Sequence, residues 1–331
     1  MIISRAPLRM SFTGGGSDLP DFYRKYGGAV ISTAIDKYVY VNVNKKFDNG
    51  IRVAYSINEE VSSTKEIKHK LVRATMEYLG IDGGIEITTI ADIPSKGTGL
   101  GSSSSFTVGL LHALYAYQEV YVSSEQLGKE SCHIEIDRCG EPIGKQDQYA
   151  AAYGGFNLIT FNPDESVEVS PIICKRETIQ SVERNLLVFY TGITRSASLL
   201  LKQQSLEIAT AVRKQRLMKR MVELTYTLAS ELQANNADAF GEILHENWML
   251  KKSITDGVTT DEIDGWYGRA LHAGAIGGKI LGAGAGGFLL VFAHQEFHDS
   301  VKKALNMLRP IPVRFEPSGS RIIFYNRNEK T

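Results

Sequence analysis

Residues 94 to 105 read Pro-Ser-Lys-Gly-Thr-Gly-Leu-Gly-Ser-Ser-Ser-Ser, and this stretch decides how the chain is interpreted. The β-branched run Ile85–Ile90 precedes it, and an apolar pattern with helical spacing from Phe106 to Tyr115 follows it. A strand, a glycine-rich loop and a helix are therefore predicted in that order. Glycines let backbone amides approach a ligand closely, and a helix N-terminus offers unpaired N–H groups and a positive dipole end. The stretch thus predicts an anion site, for which phosphate is the usual ligand.

The serine run Ser102–Ser105 bears on the simpler explanation of this stretch, a flexible loop that ends in a plain serine N-cap. A cap needs one serine, whereas four serines here follow three alternating glycines. Serine hydroxyls can also bond phosphate oxygens or ligate Mg²⁺. The run therefore favours the phosphate interpretation.

Composition limits the classes of protein that the chain can represent. The 331 residues suggest about two domains at roughly 150 residues each. Lys plus Arg and Asp plus Glu both number 37, so no overall basic field points to nucleic acid or a membrane surface. The sequence lacks both a long apolar run that would span a membrane and a signal-peptide pattern. Three cysteines (Cys132, Cys139 and Cys174) without metal-ligand spacing fit a reducing compartment, so we expect a cytoplasmic protein.

A second glycine-rich turn, Gly14–Gly16, lies near the N-terminus and is followed by Ser17 and Asp18. Arg9 and Asp18 flank this turn. One interpretation makes Arg9 a charge stabiliser and Asp18 an acceptor for sugar hydroxyls. The other makes the two residues an exposed salt bridge of little consequence.

Two acidic residues stand out further along the chain. Asp147 lies among small and aromatic residues between Gly144 and Gly155, where a merely solvated carboxylate is not expected. Glu135 lies twelve residues earlier, at the end of an apolar helix face. The alternative for Glu135 is a surface pair with Arg138, three residues on.

A third glycine loop, Gly282–Gly287, formally matches the dinucleotide-binding pattern G-x-G-x-x-G. That motif should follow a strand and open a helix, whereas this one is predicted to follow a helical segment and open the strand Phe288–Phe292. The elements predicted on either side of this loop therefore argue against a dinucleotide-binding dehydrogenase. The sequence also lacks a P-loop, a zinc motif and the G-x-S-x-G of a serine hydrolase, so we expect His112 to serve in packing.

Strands and helices mix along the chain without strict βαβ alternation, which predicts an α+β fold. Asp48-Asn-Gly50 predicts a hairpin turn between two strands, and Val313–Phe315 and Arg321–Tyr325 predict closing strands. We place the boundary between two domains near residue 170, giving residues 1–170 and 171–331.

The ordered set of motifs resembles the GHMP kinase superfamily. Its first motif is similar to Ala6-Pro-Leu-Arg9…Gly14-Gly-Gly-Ser-Asp18, its second to Pro94–Ser103 and its third to Gly282–Gly287. The second has one extra residue before Gly-Leu, and the first lacks the Gly-Glu-His-Thr-Asp of galactokinases. The phrases around Asp18 and Asp147 most resemble the bacterial heptose 7-phosphate kinases.

The resemblance implies a two-domain fold, with an N-terminal domain like domain 2 of ribosomal protein S5 and a ferredoxin-like C-terminal domain. It implies an ATP-dependent kinase that makes a heptose 1,7-bisphosphate for nucleotide-activated heptose, or another sugar kinase of the superfamily. A non-catalytic nucleotide or sugar sensor of the same fold stays open as an alternative. Partners would be ATP and a sugar phosphate, with a homodimer possible and no nucleic acid or membrane.

The resemblance also implies roles for individual residues. Asp147 would be the base and Arg9 its catalytic partner, while Ser103 (or Ser102) and Glu135 would hold Mg²⁺. The ATP phosphates would lie over Gly97, Gly99, Leu100, Gly101, Ser102, Ser103 and Ser104. The acceptor would contact Gly15, Gly16, Ser17, Asp18, Gly284, Gly286 and Arg195. Candidate cations for its distal phosphate are Arg195, Lys37, Lys145 and Arg138.

Overall fold

The computed structural model describes residues 1–93, 97–194 and 197–326, with two sheets and the helices packed on them. Its strands are β1 Ile2–Thr13, β2 Gly28–Lys45, β3 Ile51–Ala54, β4 Asn58–Val61, β5 Ile85–Ala91, β6 Phe156–Phe161, β7 Val167–Pro171, β8 Leu186–Tyr190, β9 Gly277–Ile280, β10 Phe288–Phe292, β11 Arg309–Pro310 and β12 Arg321–Tyr325.

The helices alternate irregularly with these strands, as the α+β prediction requires. They are α1 Pro20–Tyr26, α2 Lys70–Tyr78, α3 Ser102–Tyr117, α4 Ser124–Cys132, α5 Gln146–Tyr153, α6 Arg176–Arg184, α7 Ala197–Thr210, α8 Val212–Gln233, α9 Ala239–Ile254, α10 Asp261–His272 and α11 His298–Ala304. A π-helical turn, His133–Arg138, extends α4.

The larger sheet has the order β12-β1-β2-β5-β3-β4, and β6 and β7 extend it from the first half of β2. The long strand β2 pairs with β1 along its length and with both β5 and β6 on its other edge. Helix α3 packs closely on β1 and β2 because Gly109 has no side chain: a Cβ there would lie 3.3 Å from Ala6 Cβ. The same contact lets Ser4 Oγ donate to Gly109 O at 2.6 Å. This packing fixes the N-terminus of α3 beside the middle of β1.

The smaller sheet has the antiparallel order β11-β8-β10-β9. If these strands are numbered 1 to 4 in chain order, the order across the sheet is 4-1-3-2, which is the arrangement of a ferredoxin-like domain. Helices α7 to α10 lie between its first and second strands in sequence. The predicted C-terminal fold is confirmed.

Three predictions of local structure were wrong. The turn at Asp48–Gly50 does not form a hairpin, because β5 lies between β2 and β3 and pairs with β3 in parallel. Val313–Phe315 forms no strand, only a single bridge from Phe315 to Ile35. The third glycine loop follows the strand β9 rather than a helix, so it joins two antiparallel strands.

The last strand, β12, leaves the C-terminal half and pairs antiparallel with β1 at the edge of the larger sheet. The largest apolar core likewise includes residues from both halves of the chain, such as Phe12 and Phe240, whose rings lie 5.0 Å apart. The boundary near residue 170 stays a prediction, and β12 shows that the chain crosses back over it. Among the described residues, no helix combines the length and the apolar character needed to cross a membrane.

Candidate active site

The loop before α3 and the first turn of that helix form one wall of a cleft. Gly101 occupies the N-cap position with φ +74°, a left-handed conformation that glycine adopts without strain. The helical bonding begins with Ser105 N donating to Gly101 O at 2.9 Å, and the amides before it have no partner within the helix. The cleft wall includes six of the seven residues predicted to bind nucleotide: Gly97, Gly99, Gly101, Ser102, Ser103 and Ser104.

Leu100 is the exception among the predicted nucleotide-binding residues. Its side chain is buried in the core, and its carbonyl accepts a hydrogen bond from Arg9 N at 3.0 Å. Leu100 therefore connects the loop to β1 and does not line the cleft. Pro94, Ser95 and Lys96 lie outside the described residues.

Arg9 and Asp147 form a buried ion pair across the cleft floor. Arg9, on β1, donates through Nε to Asp147 Oδ1 at 2.8 Å and through Nη2 to Oδ2 at 2.9 Å. Its Nη1 donates to Gly99 O at 2.6 Å, which ties the pair to the glycine loop. Arg9 is only 3% exposed, whereas the Asp147 side chain is 24% exposed. The bidentate pairing therefore fixes the position of the carboxylate. Its exposed part leaves one face open to a ligand.

Asp18 lies beside this pair and is not bonded to Arg9, so the exposed salt bridge considered from the sequence is not formed. Its carboxylate accepts from Gly16 N at 3.1 Å and from the backbone and side-chain amides of Gln146 at 3.2 and 3.1 Å. Burial, followed by repulsion from Asp147, raises the pKa of Asp18. Asp18 and Gly16 line the cleft with Asp147.

Ser17 is placed differently from its predicted role in binding the acceptor. It is fully buried, and its hydroxyl donates to Ala29 O at 3.0 Å and accepts from Ala29 N at 3.1 Å. It stabilises the turn between β1 and β2 and does not line the cleft. Gly15 is also absent from the wall, although its carbonyl accepts a bond from Lys251.

Glu135 lies in the π-helical turn and is completely buried behind the serine run. Its two oxygens accept from the hydroxyls of Ser103 at 3.1 Å, Ser104 at 2.7 Å and Thr107 at 3.0 Å, and from the amide of Gln148. It is not paired with Arg138, the alternative that the sequence left open. Burial raises the pKa of Glu135 to about 7, against the lowering effect of these donors.

This donor set suits Mg²⁺, which prefers a few carboxylate and hydroxyl oxygens together with phosphate oxygens. The Glu135 carboxylate is surrounded by neutral donors and has no cationic side chain bonded to it within the described residues. A buried carboxylate without a counter-charge is unfavourable, and a nearby cation would relieve that cost. The residues present therefore fit the metal that the resemblance implies.

The third glycine loop lies against the first wall of the cleft. A Cβ at Gly282 would come within 2.5 Å of Gly99 Cα, and a Cβ at Gly287 within 2.3 Å of Thr98 O, so both positions require glycine for close backbone contact. Both residues also have positive φ, 75° and 85°. The two glycine loops thus meet directly through their backbones.

Only the beginning of this loop reaches the cleft, through Gly282 and Ala283. The predicted acceptor contacts Gly284 and Gly286 face other parts of the chain: Cβ atoms there would lie 2.6 Å from Val258 O and from Ile193 O respectively. Their small size serves packing between loops, and the prediction placed the contact too far along the motif.

Lys251, on α9, is a cleft residue that the sequence interpretation missed. It is 2% exposed, and Nζ donates to Gly282 O at 3.2 Å and to Gly15 O at 3.4 Å. One signal was available: Lys251 falls on the apolar face of α9 at helical spacing from Leu244, Trp248 and Ile254, an unusual place for a lysine.

Three of the four cations considered for a distal phosphate do not line the cleft. Lys37 bonds Asp36, Lys145 bonds Glu165, and Arg138 donates to Ala74 O. Arg195 lies outside the described residues. His112 bonds Ser320 rather than any residue of the serine run, which agrees with its predicted packing role.

Comparisons with known proteins agree with this geometry. The models of the GHMP kinase N-terminal and C-terminal domains match residues 66–155 and 228–309. A D-glycero-alpha-D-manno-heptose 7-phosphate kinase of Campylobacter jejuni is 29% identical, over 92% of this chain and 93% of its own. A galactokinase of Pyrococcus furiosus is 23% identical, over 92% of each chain.

Among solved structures, a D-glycero-D-manno-heptose 1-phosphate kinase of Bacteroides thetaiotaomicron superposes with a TM-score of 0.80 at 25% identity, covering 99% of this chain and 100% of its own. The two family models occur in their usual order and together span just over half of the chain. The relatives match it along nearly its whole length. The chain therefore belongs to the GHMP kinase superfamily and is an ATP-dependent kinase.

Proposed function

We propose that the protein transfers the γ-phosphoryl group of ATP to the anomeric hydroxyl of D-glycero-α-D-manno-heptose 7-phosphate and releases the 1,7-bisphosphate. The observation that carries the proposal is the Arg9–Asp147 pair, which lies in one cleft with Asp18 and the serine-lined N-terminus of α3. Donor-binding and acceptor-binding features thus meet at a fixed carboxylate. The product would supply nucleotide-activated heptose for surface polysaccharide.

Asp147 acts as the general base in this proposal. It is held by two hydrogen bonds from Arg9 but keeps free lone pairs on its exposed face. A sugar hydroxyl bonded there would pass its proton to the carboxylate as the oxygen attacks phosphorus. Arg9 fixes the orientation of the carboxylate and adds positive charge where negative charge develops.

The other residues position the two substrates. Amides and hydroxyls at the start of α3 bind the ATP phosphates, and the buried carboxylate of Asp18 accepts bonds from acceptor hydroxyls. Ser103 and Glu135 would hold Mg²⁺, which supplies charge neutralisation on the phosphates when it is bound. Holding the acceptor hydroxyl between Asp147 and the phosphoryl group adds the rate advantage of positioning to that of base catalysis.

The choice of heptose 7-phosphate is supported by the relative from Campylobacter jejuni and by the residues around Asp18 and Asp147. The Bacteroides thetaiotaomicron structure, a heptose 1-phosphate kinase, supports a heptose phosphate more generally. A second candidate is another sugar kinase of the superfamily, of fucose, galactose or mannose type, because a galactokinase matches over the same share of the chain. A non-catalytic sensor is disfavoured, since a sensor would be expected to lose Asp147 or Glu135, and both are present. A cytoplasmic location and a homodimer stay predictions.

An acceptor panel tests the substrate. ATP consumption is measured with heptose 7-phosphates of both anomeric series, with unphosphorylated heptose, galactose, fucose and mannose, and with mevalonate. We expect the highest kcat/KM with D-glycero-α-D-manno-heptose 7-phosphate. Turnover confined to an unphosphorylated sugar would overturn the heptose 7-phosphate assignment, although the protein would still be a kinase.

The substitution Asp147→Asn tests the base. Asparagine keeps the shape but cannot take the proton, so we expect kcat to fall by about 10²–10⁴-fold, the usual contribution of general base catalysis. Glu165→Gln is the matched control, since Glu165 is an exposed carboxylate outside the cleft with its own cationic partners, Lys145 and Arg24. Near-normal kcat in Asp147→Asn, with the fold intact by circular dichroism, would remove Asp147 as base.

A further inference from the structure

Lys251 is a buried cation with no carboxylate bonded to it among the described residues. Its two hydrogen bonds go to backbone carbonyls, Gly282 O at 3.2 Å and Gly15 O at 3.4 Å, and both are longer than the usual distance for such a bond. An ammonium group carries three donors, so at least one remains for another partner. A buried charge is retained at high cost unless it is paired. Its cleft-facing position therefore indicates an anionic ligand.

The position of Lys251 lies between the two sides of the reaction. Gly15 belongs to the loop that leads to Asp18, the acceptor side. Gly282 packs against Gly99, whose loop forms the donor side. Lys251 Nζ is bonded to both loops at once, so it lies between the loops assigned to the donor and to the acceptor.

The charges around Lys251 point to the same place. Burial lowers its pKa to about 8, Asp18 and Asp147 act to raise that pKa, and Arg9 acts to lower it. Lys251 also lines the same cleft as Arg9, Asp18 and Asp147, so its ammonium group shares that cleft with the carboxylate proposed as the base. A cation for the acceptor's distal phosphate would instead be expected at the far end of the sugar from Asp147.

Lys279 provides an internal comparison. It is also a buried lysine, and its Nζ donates to Ser11 O at 2.8 Å and Phe12 O at 3.0 Å. These bonds are shorter than those of Lys251, and Lys279 is not part of the cleft wall. Both lysines are buried and bond backbone carbonyls, but of these two only Lys251 lines the cleft, where a substrate could contact it.

We propose that Lys251 is a catalytic residue whose ammonium group contacts the phosphoryl group during its transfer from ATP to the acceptor. The proposal rests on the kinase function proposed above and adds a cation to Arg9. Lys251 stabilises the negative charge on the phosphoryl oxygens as the bond to the leaving oxygen of ADP breaks and the bond to the acceptor oxygen forms. No bond to the lysine is made in this step.

The test compares the wild-type enzyme with Lys251→Met and Lys251→Arg, using whichever acceptor the panel identifies. We expect Lys251→Met to lower kcat by about 10²–10³-fold, the typical effect of losing one charge-stabilising donor, with both KM values changed less than about threefold. Lys251→Arg should restore part of kcat because it restores the charge. Lys252→Met is the matched control, since the neighbouring Lys252 bonds Asp264 away from the cleft.

The pH profile supplies a readout that a purely structural lysine would not move. Lys251 must be protonated to act, so kcat/KM should fall as pH rises through its pKa of about 8 in the free enzyme. The charged groups facing it are Arg9, Asp18, Asp147 and Lys279. Lys251→Arg should shift this basic limb to higher pH, because arginine keeps its proton.

A binding experiment separates this proposal from the choice of acceptor. Titration calorimetry measures the affinity of ADP and Mg²⁺ with and without aluminium fluoride, a stand-in for the phosphoryl group in transfer. We expect aluminium fluoride to tighten binding in the wild type by at least tenfold and to have little effect in Lys251→Met. Equal tightening in both proteins, or a raised acceptor KM with unchanged kcat, would overturn the role of Lys251. If wild-type protein binds ADP and Mg²⁺ more tightly with aluminium fluoride but phosphorylates no heptose, only the assignment of the acceptor would be overturned.

Discussion

Glu135 shows at the scale of one residue how burial and function are combined. Its carboxylate is completely buried and has only neutral donors around it, and burial raises its pKa to about 7. Such an environment is unfavourable for folding because it removes a charge from water. The same environment strengthens the attraction of that charge for a cation.

The substitution Glu135→Gln tests whether the buried charge costs stability and serves to bind a cation. Glutamine keeps the shape and an accepting oxygen but has no charge, so we expect the unfolding temperature to stay the same or rise. We expect kcat to fall on the order of 10²-fold and the Mg²⁺ concentration for half-maximal activity to increase. Calorimetry and Mg²⁺ titrations of the rate measure the two effects. Glu130→Gln is the control, because Glu130 bonds Tyr115 and Gln126 outside the cleft; equal kinetics in both variants would contradict a metal-binding role.

Sequence patterns predicted some site residues and missed others for a physical reason. Arg9, Asp18 and Asp147 lie in short motifs, so residue type and local spacing were enough to select them. Lys251 has no motif, because what brings it to the cleft is the packing of α9 against two loops distant in sequence. Gly284 and Gly286 were selected by the motif pattern, but their neighbours, Val258 and Ile193, could not be known from it.

At the scale of an element, the N-cap residue of α3 also shapes the site. Gly101 has φ +74°, and a Cβ there would lie 3.2 Å from Arg9 Cγ and 3.3 Å from Asp147 Oδ2. Glycine is therefore favoured at this position for two reasons: the backbone conformation and the space that the Arg9–Asp147 pair occupies. Gly140 has φ +68° with no atom within 4 Å of such a Cβ, so only the first requirement applies there.

Comparing Gly101→Ala with Gly140→Ala separates the two requirements. Each should lower the free energy of unfolding by roughly 1–2 kcal/mol, the cost of a left-handed alanine. Only Gly101→Ala should also displace Asp147, and we expect kcat to fall on the order of tenfold for a shift of a few tenths of an ångström. Denaturant unfolding and steady-state kinetics report the two quantities. Equal kinetics in both variants would mean that the Arg9–Asp147 pair has room to adjust.

Elements with a strong local pattern were predicted well, and those defined by distant pairing were not. The helix predicted from the apolar spacing of Phe106 to Tyr115 is present as α3, which ends at Tyr117, because that spacing is continuous. The supposed hairpin at Asp48–Gly50 failed because β5, which is more than thirty residues further on, inserts between β2 and β3. A turn sequence predicts a change of direction but not which strand will be the neighbour.

At the scale of the whole molecule, the two halves of the chain share strand pairing, hydrogen bonds and apolar packing. Strand β12 covers the outer edge of β1, and Lys279 bonds the carbonyls of Ser11 and Phe12. Phe12 also packs against Phe240 and Phe315, with ring centroids 5.0 and 6.3 Å apart. The α+β class and the GHMP kinase fold were predicted, but these contacts between the two halves of the chain leave no local signal in the sequence.

A fragment of residues 1–170 should therefore not fold cooperatively, because it lacks β12 and the apolar partners of Phe12. We expect a broad thermal transition by circular dichroism and poor dispersion of its amide NMR signals. Mixing with a fragment of residues 171–331 should restore a cooperative transition. A sharp transition for residues 1–170 alone would show that the N-terminal part is an independent domain.

The pairing of β1 with β12 also determines how the molecule responds to mechanical force. Asn326 N donates to Met1 O at 3.0 Å, and the ladder then runs from Ile2 with Tyr325 to Arg5 with Arg321. Because Met1 and Asn326 lie at the same end of this ladder, a force that separates them breaks its hydrogen bonds one after another, like a zipper. Arg9 lies beyond the ladder and is paired with Ala34 on β2. Optical tweezers attached at Met1 and Asn326 should therefore peel away the edge strand at low force before the load reaches the strand segment that carries Arg9.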